Sequence, residues 1–241
     1  MPKFIHKGDA KKEYVRNMFN DVSKRYDLLN KLLSFGIDSY WRNRLIKSMA
    51  INNNSIILDV ATGTGDVVFE ILKNNNIKII GLDYAENMIE VAKEKAHSKN
   101  LSNLVEFIHG DAENLPFDDS QFNSISISFG FRNIGNYEHA LSEFNRVLKN
   151  KGKLSILEFS DPESKLFNMI YQLYFKYVLP KVGVLISKSD GYKYLPESVE
   201  HFPSRKEVAN MISSSGFTDI NIENLTFGVC AIFTAIKNDK K

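Results

Sequence analysis

Three carboxylates and a glycine turn are the residues in this chain whose type and spacing could do chemistry. Asp59 closes the apolar run Ile56-Ile57-Leu58 and is followed by the turn Ala61-Thr62-Gly63-Thr64-Gly65. Asp83 closes a second run, Lys78-Ile79-Ile80-Gly81-Leu82, 18 residues beyond Gly65. Asp111 follows a third, Val105-Glu106-Phe107-Ile108-His109, after Gly110 and before Ala112. Glycine in such a turn lets the backbone approach a ligand and adopt φ > 0. A carboxylate at the end of the next strand can accept both hydroxyls of a ribose. An acid at the end of the third can accept a hydrogen bond from an adenine's exocyclic amine, with a neighbouring backbone N–H serving the ring.

The turn does not fit the commoner nucleotide loops. A dinucleotide fingerprint needs a glycine where Val68 stands, and no Gly-Lys-Ser/Thr ends a phosphate loop. The spacing suits an adenosine-bearing ligand that needs no pyrophosphate cradle, a description S-adenosylmethionine meets. An ordinary strand-to-helix turn is the bland alternative for the glycines taken alone.

The elements that must position these residues form an α/β alternation. Runs 55–60, 78–83, 105–109, 122–129 and 153–159 read as strands, separated by helical patterns at 67–72, 86–97 and 137–149. A closing helix at 205–214 and strands at 219–224 and 227–236 follow. Before the first strand, one helical pattern from Tyr14 carries Val15, Met18, Phe19, Val22 and Tyr26 on a face, and a second begins near Asp38. These helices are expected to pack over the carboxyl edge of the sheet as a lid; residues 1–13 read as polar and frayed. The fourth strand opens into Gly130-Phe131-Arg132-Asn133, where a cofactor's reactive group would lie. The expected fold is a doubly wound, Rossmann-like α/β sheet in one domain, with a helical lid (1–50), a cofactor half (51–160) and an acceptor-side segment (161–241).

Composition narrows the classes. Lys and Arg number 31 against 29 Asp and Glu, a net charge of +2, so no nucleic-acid face is expected. The single Cys230 excludes an internal disulfide and fits a reducing cytoplasm. No signal peptide or membrane span is read. His6, His97, His109 and His139 lack metal-ligand spacing, so no metal is expected. Residues 164–186 are unusually aromatic and could guide an apolar substrate tail, or simply pack on the domain.

Beyond these elements, blocks of the chain resemble the ubiquinone/menaquinone-biosynthesis C-methyltransferases, including the demethylmenaquinone methyltransferases. They are MFNDVSKRYDLLNKLLSFGIDSYWR, LDVATGTGD, GDAENLPF, SFGFRN, EFNRVLKNKGKLSILEFSDP and YKYLPESVEHFP, within residues 9–236. SFGFRN and YKYLPES are much more specific than the glycine turn. The resemblance implies a class I S-adenosylmethionine-dependent methyltransferase sheet, mostly parallel with an antiparallel last strand, and a polyprenyl quinol as acceptor. It implies S-adenosylmethionine contacts at Thr62, Gly63, Gly65, Asp83, the Asp111–Ala112 pair and Ser128. It leaves a homodimer and peripheral contact with the membrane surface open. Phe233 stands where many members carry His, so no histidine on that strand is catalytic.

For the chemistry, Arg132 and Asn133 are the expected catalytic pair. A guanidinium is always protonated, so Arg132 is cast as a fixed charge that lowers the quinol's pKa, with Asn133 orienting the group; a surface ion pair is its alternative. His201 is the other base considered, and Tyr192, Tyr194 and Ser198 are candidate pocket residues. Conversion of demethylmenaquinol to menaquinol is the expected reaction. A methoxy-benzoquinol acceptor, a sterol-type methyltransferase and a non-catalytic S-adenosylmethionine-binding subunit are the alternatives.

Overall fold

Strands of the central sheet divide their apolar side chains between two cores. Ile57 enters one core while Leu58 and Val60 enter the other; Ile156 and Leu157 split the same way, as do Phe233 and Ile232. A computed structural model describes residues 8–162, 169, 173 and 191–238. The expected aromatic guide at 164–186 falls outside the described residues, except for Met169 and Leu173; so do the side chain of Tyr192 and His6.

Seven strands form the sheet: β1 (Ile56–Val60), β2 (Lys78–Asp83), β3 (Val105–His109), β4 (Phe122–Ser128), β5 (Leu148–Phe159), β6 (Phe217–Leu225) and β7 (Cys230–Lys237). Their order is β3-β2-β1-β4-β5-β7-β6. The first five are mutually parallel, and β7 runs antiparallel to both β5 and β6. The fold is thus the doubly wound sheet with a reversed last strand. Order reverses between β1 and β4, which puts the ligand crevice of such sheets at their carboxyl ends.

Helices cover both faces. In chain order they are α1 (Gly8–Val22), α2 (Tyr26–Leu33), α3 (Ile37–Ser48), α4 (Asp66–Leu72), α5 (Glu86–Ser98), α6 (Tyr137–Val147), α7 (Gly191–Glu200) and α8 (Arg205–Ser214). Trp41, Leu45, Val68, Ile71 and Ile89 of α3, α4 and α5 fill one core. Phe144 of α6 and Val208 and Ile212 of α8 fill the other.

Three expectations are corrected. The first helix begins at Gly8, inside the stretch expected to fray, because Lys11 is buried at 4% exposure and anchors it. The single helix expected from Tyr14 to Leu33 is broken by a 3-10 turn, Ser23–Arg25. Residues 150–152, left as a break between the expected helix (137–149) and strand (153–159), lie within β5, where Lys151 adopts φ 62 and the pairing with β4 shifts register. Two steps along β4, Phe122 to Ser124, face five along β5, Leu148 to Lys153, so β5 bulges outward by three extra residues that a sequence pattern reads as a break.

Candidate active site

The crevice above β1 and β4 gathers most of the residues expected to act. Gly63, Asp83, Asp111, Ala112, Ser128 and Asn133 all line one cleft, together with Lys12, Phe19 and Tyr26 from the N-terminal helices. Following the strand order, the floor runs from Asp111 after β3, through Asp83 on β2 and Ala61 and Gly63 after β1, to Ser128–Asn133 after β4.

The glycine turn is held by its neighbours. Thr62 donates its backbone N–H to Leu82 O (3.0 Å) and its hydroxyl to Asp59 (2.6 Å). Gly63 adopts φ 56 and donates its N–H to Asp83 (2.7 Å). Gly65 adopts φ 85, and a Cβ there would meet the rings of Phe107 and Phe69 at 2.8 Å. Thr62 and Gly65 therefore shape the loop from behind, and neither is among the cleft-lining residues. Ala61 (φ 50) and Phe129 (φ 56) both carry left-handed backbone, which costs a residue with a Cβ energy. They end adjacent strands and both line the cleft, where such strain is commonly stored.

Asp83 accepts backbone N–H groups from Gly63 and Ala85 (2.8 Å), and burial pushes its carboxyl pKa up against those donors. A carboxylate so aimed retains lone pairs for two hydroxyls of a ligand. Asp111 accepts Lys12 Nζ (2.8 Å) and the N–H of Glu113 (2.9 Å). Behind the cleft, Asp59 is 1% exposed and accepts the hydroxyls of Thr62 and Ser126; burial raises its pKa to about 6.

Arg132 stands differently from its expected place as a charge facing an acceptor. Its side chain is 6% exposed and donates to Glu158 (2.7 Å), which is itself wholly buried. It also donates to Phe129 O and to Ser198 Oγ (3.3 Å), and its backbone N–H reaches the other Glu158 oxygen (3.0 Å). Its carbonyl accepts Lys11 Nζ (2.7 Å) and Tyr137 OH (3.1 Å). Arg132 is not among the cleft-lining residues, whereas the next residue, Asn133, is. Asn133 Oδ1 accepts Tyr194 OH (3.0 Å), and its Nδ2 lies 3.4 Å from Phe129 O. Ser198 and Tyr194 thus meet the site through Arg132 and Asn133. His201 is exposed just after α7, its ring against Glu197 O, and is not among the cleft-lining residues.

Sequence reasoning missed the contribution of α1. Lys11 donates to the carbonyls of Arg132 and Ile134 (2.8 Å), and burial, with the Arg132 charge beside it, pulls its pKa down to about 8. Lys12 pairs with Asp111 and with Glu113 (3.3 Å). Two adjacent lysines in a polar leader carry no periodic signal. Phe19 and Tyr26 did lie on the expected apolar face, and that face turns out to be cleft wall, with Tyr26 against Gly63. Among the described residues no group of His, Cys, Asp and Glu could hold a metal ion.

A switch-point cleft with a buried acid on β2 and a glycine turn after β1, on a sheet with a reversed last strand, is the arrangement of class I S-adenosylmethionine-dependent methyltransferases. The chain is matched over residues 7–237 by the model of the ubiE/COQ5 methyltransferase family, and it belongs to that family. It is 42% identical over 238 residues to the ubiquinone/menaquinone biosynthesis C-methyltransferase UbiE of Geobacter sulfurreducens, covering 98% of this chain and 93% of that one. It is 44% identical over 217 residues to the demethylmenaquinone methyltransferase of Thermus thermophilus, covering 89% and 97%. Two solved structures share the fold at 16% identity. The [4+2]-cyclase SpnF superposes with a TM-score of 0.73 over the whole of both chains. The S-adenosylmethionine complex of a Haemonchus contortus phosphoethanolamine N-methyltransferase does so with 0.68, over 92% of this chain and 60% of that one. A cyclase on the same sheet is a reminder that the fold alone does not name the acceptor.

Proposed function

We propose that this methyltransferase transfers a methyl group to a ring carbon of a polyprenyl quinol, converting a demethylmenaquinol to menaquinol. The observation that carries the reading is the single cleft that joins Asp83 and Asp111 to Asn133 and the aromatic walls Phe19, Tyr26 and Phe129. A nucleoside end and an aromatic acceptor end share one crevice. The SFGFRN and YKYLPES blocks, whose Asn133 and Tyr194 bond to each other, support the quinol in particular. So do the relatives, some named for menaquinone alone and others for ubiquinone and menaquinone together.

S-adenosylmethionine, when bound, supplies an electrophilic methyl on its sulfonium. The residues present fit it: Asp83 would take the ribose hydroxyls, Asp111 and the Ala112 N–H the adenine, and Gly63 and Ser128 the middle of the ligand. The chain's own work is positioning, which can supply ~7–11 kcal/mol when the reacting atoms are held in line. The acceptor carbon becomes nucleophilic as the neighbouring quinol hydroxyl gives its proton to solvent; once the methyl–sulfur bond has broken and the new carbon–carbon bond has formed, the hydrogen on that ring carbon leaves as a proton and the hydroxyl is restored, so one net proton is released. Ser128 and Asn133 are polar cleft residues at the end of β4, where the acceptor ring would lie. Asn133 is the catalytic residue of the pair expected from sequence. Arg132, its charge already matched by Glu158, is a positioning residue that fixes the Phe129–Asn133 turn and hence the Asn133 amide.

Supplying demethylmenaquinol and a 2-methoxy-6-polyprenyl-benzoquinol of equal tail length in competition tests the choice of ring. Faster methylation of the naphthoquinol is expected. Equal or preferential methylation of the benzoquinol would move the protein to the second reading, ubiquinone biosynthesis, which the relatives named for both pathways favour.

A further inference from the structure

The strand order of the cleft floor matches the covalent order of S-adenosylmethionine. With adenine at Asp111 after β3 and ribose at Asp83 on β2, the group next along the ligand, the sulfonium, falls over β1 and its neighbour β4. A sulfonium is a full positive charge, and a crevice that holds it must set something negative opposite.

No carboxylate lines the cleft there. Its lining acids, Asp83, Asp111 and Glu113, stand on or beyond β2 and β3, whereas Ala61, Gly63, Ser128 and Phe129 line it at the ends of β1 and β4. Asp59, within β1, is spent on the hydroxyls of Thr62 and Ser126. The ring of Phe129 packs away against Phe159 and Trp41, with centroids at 4.7 and 5.8 Å.

What stands over β1 is the ring of Tyr26, the first residue of α2. A Cβ at Gly63 would lie 3.7 Å from it. The charges that act on its hydroxyl come from several sides: Arg132 beyond β4, Asp83 on β2 and Asp66 on α4, with Asn30 one helical turn on. Burial pushes its pKa up, so the phenol stays neutral and any attraction for a cation belongs to the ring. Phe19 packs against that ring edge to face (5.8 Å, 80°). The next residue, Asp27, pins the start of α2 to the glycine turn, accepting the Thr64 hydroxyl and Lys95 Nζ (2.8 Å). Lys95 Nζ also reaches Asp66 at the start of α4 (2.8 Å). The ring is therefore held over the turn from both helices.

We propose that the Tyr26 ring holds the sulfonium of the methyl donor by a cation–aromatic contact, and so prefers the charged donor to the neutral thioether left after transfer. The inference rests on the ribose placement at Asp83 and is independent of which acceptor is methylated.

Titration calorimetry of the full chain with S-adenosylmethionine and with S-adenosylhomocysteine tests it, because the two differ only in the methyl and its charge. Tyr26→Leu should cut the ratio of the two affinities at least ~fivefold, the order that a cation–aromatic contact supplies. Tyr26→Phe should keep the ratio within about twofold, since it retains the ring. Placing 3,4,5-trifluorophenylalanine at position 26 keeps the ring's shape and withdraws its charge, so the ratio should fall as it does in Tyr26→Leu. That variant and Tyr26→Phe should melt alike, which decides the matter even where Tyr26→Leu loosens α2. An unchanged ratio in Tyr26→Leu or in the trifluorinated variant makes Tyr26 a packing residue and overturns the inference. A loss in Tyr26→Phe as large as in Tyr26→Leu also overturns it, by moving the contact to the hydroxyl. Asp83→Asn should weaken both ligands alike, because they share the ribose; if it weakens neither, the ribose placement fails first and the inference falls with it.

Discussion

Asn133 and Arg132 are neighbours in sequence with opposite fates, and substitution should separate them. Arg132→Ala leaves Glu158 charged, buried and unpaired, which costs ~3–5 kcal/mol when a buried pair is broken. That is a large part of a domain's ~5–15 kcal/mol, so a sharply lowered melt is expected. Asn133→Ala removes a group at the cleft surface; its melt should stay close to native while turnover falls at least ~tenfold and S-adenosylmethionine affinity, read by calorimetry, barely moves. The reverse pattern would return the direct role to Arg132. Asp59 supplies a pH signature of its own. Its proton is bound more tightly in the folded chain (about 6) than in the unfolded (3.8), so the folded state holds more protons between those values and stability falls as pH rises through them. Above about pH 6 the buried carboxylate costs on the order of 3 kcal/mol, since each tenfold change in proton affinity is worth ~1.4 kcal/mol. Asp59→Asn should therefore melt higher than wild type at neutral pH, with the advantage shrinking as pH falls toward 4. A pH-independent difference would show that Asp59 titrates normally.

At the scale of elements, α1 is the strap across the cleft. Lys11 holds it to the carbonyls at the end of the β4 loop, and Lys12 crosses to Asp111 and Glu113. Lys12→Ala removes the ion pairs with Asp111 and Glu113, each worth ~0.2–1 kcal/mol, and an outer one with exposed Asp9. Calorimetry should show S-adenosylmethionine binding about fivefold weaker, with little change in the melt; unchanged affinity would mean α1 does not close on the ligand. Most of the elements were legible beforehand because their apolar runs are periodic: β3 and α8 fall on the residues expected, Asp83 ends β2, and Asp111 follows β3 as read. What was not legible depends on tertiary partners. Nothing near Lys11 in the chain announces that two carbonyls more than 120 residues away will bury it. The Arg132–Glu158 pair, between two separate strands' ends, was equally invisible, and so a buried structural charge was expected to face the acceptor. The bulge at Lys151 defeated the strand boundary for a local reason, since a lysine flanked by Asn150 and Gly152 looks like a hairpin turn.

The whole molecule is a sheet that brings a nucleoside end and an aromatic end into one cleft, under helices that come before the first strand. Among the described residues no helix is long and apolar enough to cross a membrane. Methyl transfer to a quinol ring carbon is the central claim. Incubating the protein with S-adenosylmethionine carrying a 13C methyl and with demethylmenaquinol, then recording the product by NMR and mass spectrometry, tests it most directly. A single labelled methyl on a ring carbon is expected, formed by wild type and strongly reduced in Asp83→Asn at subsaturating S-adenosylmethionine. Label on a quinol oxygen, or no transfer from a protein that binds S-adenosylmethionine tightly, would contradict it.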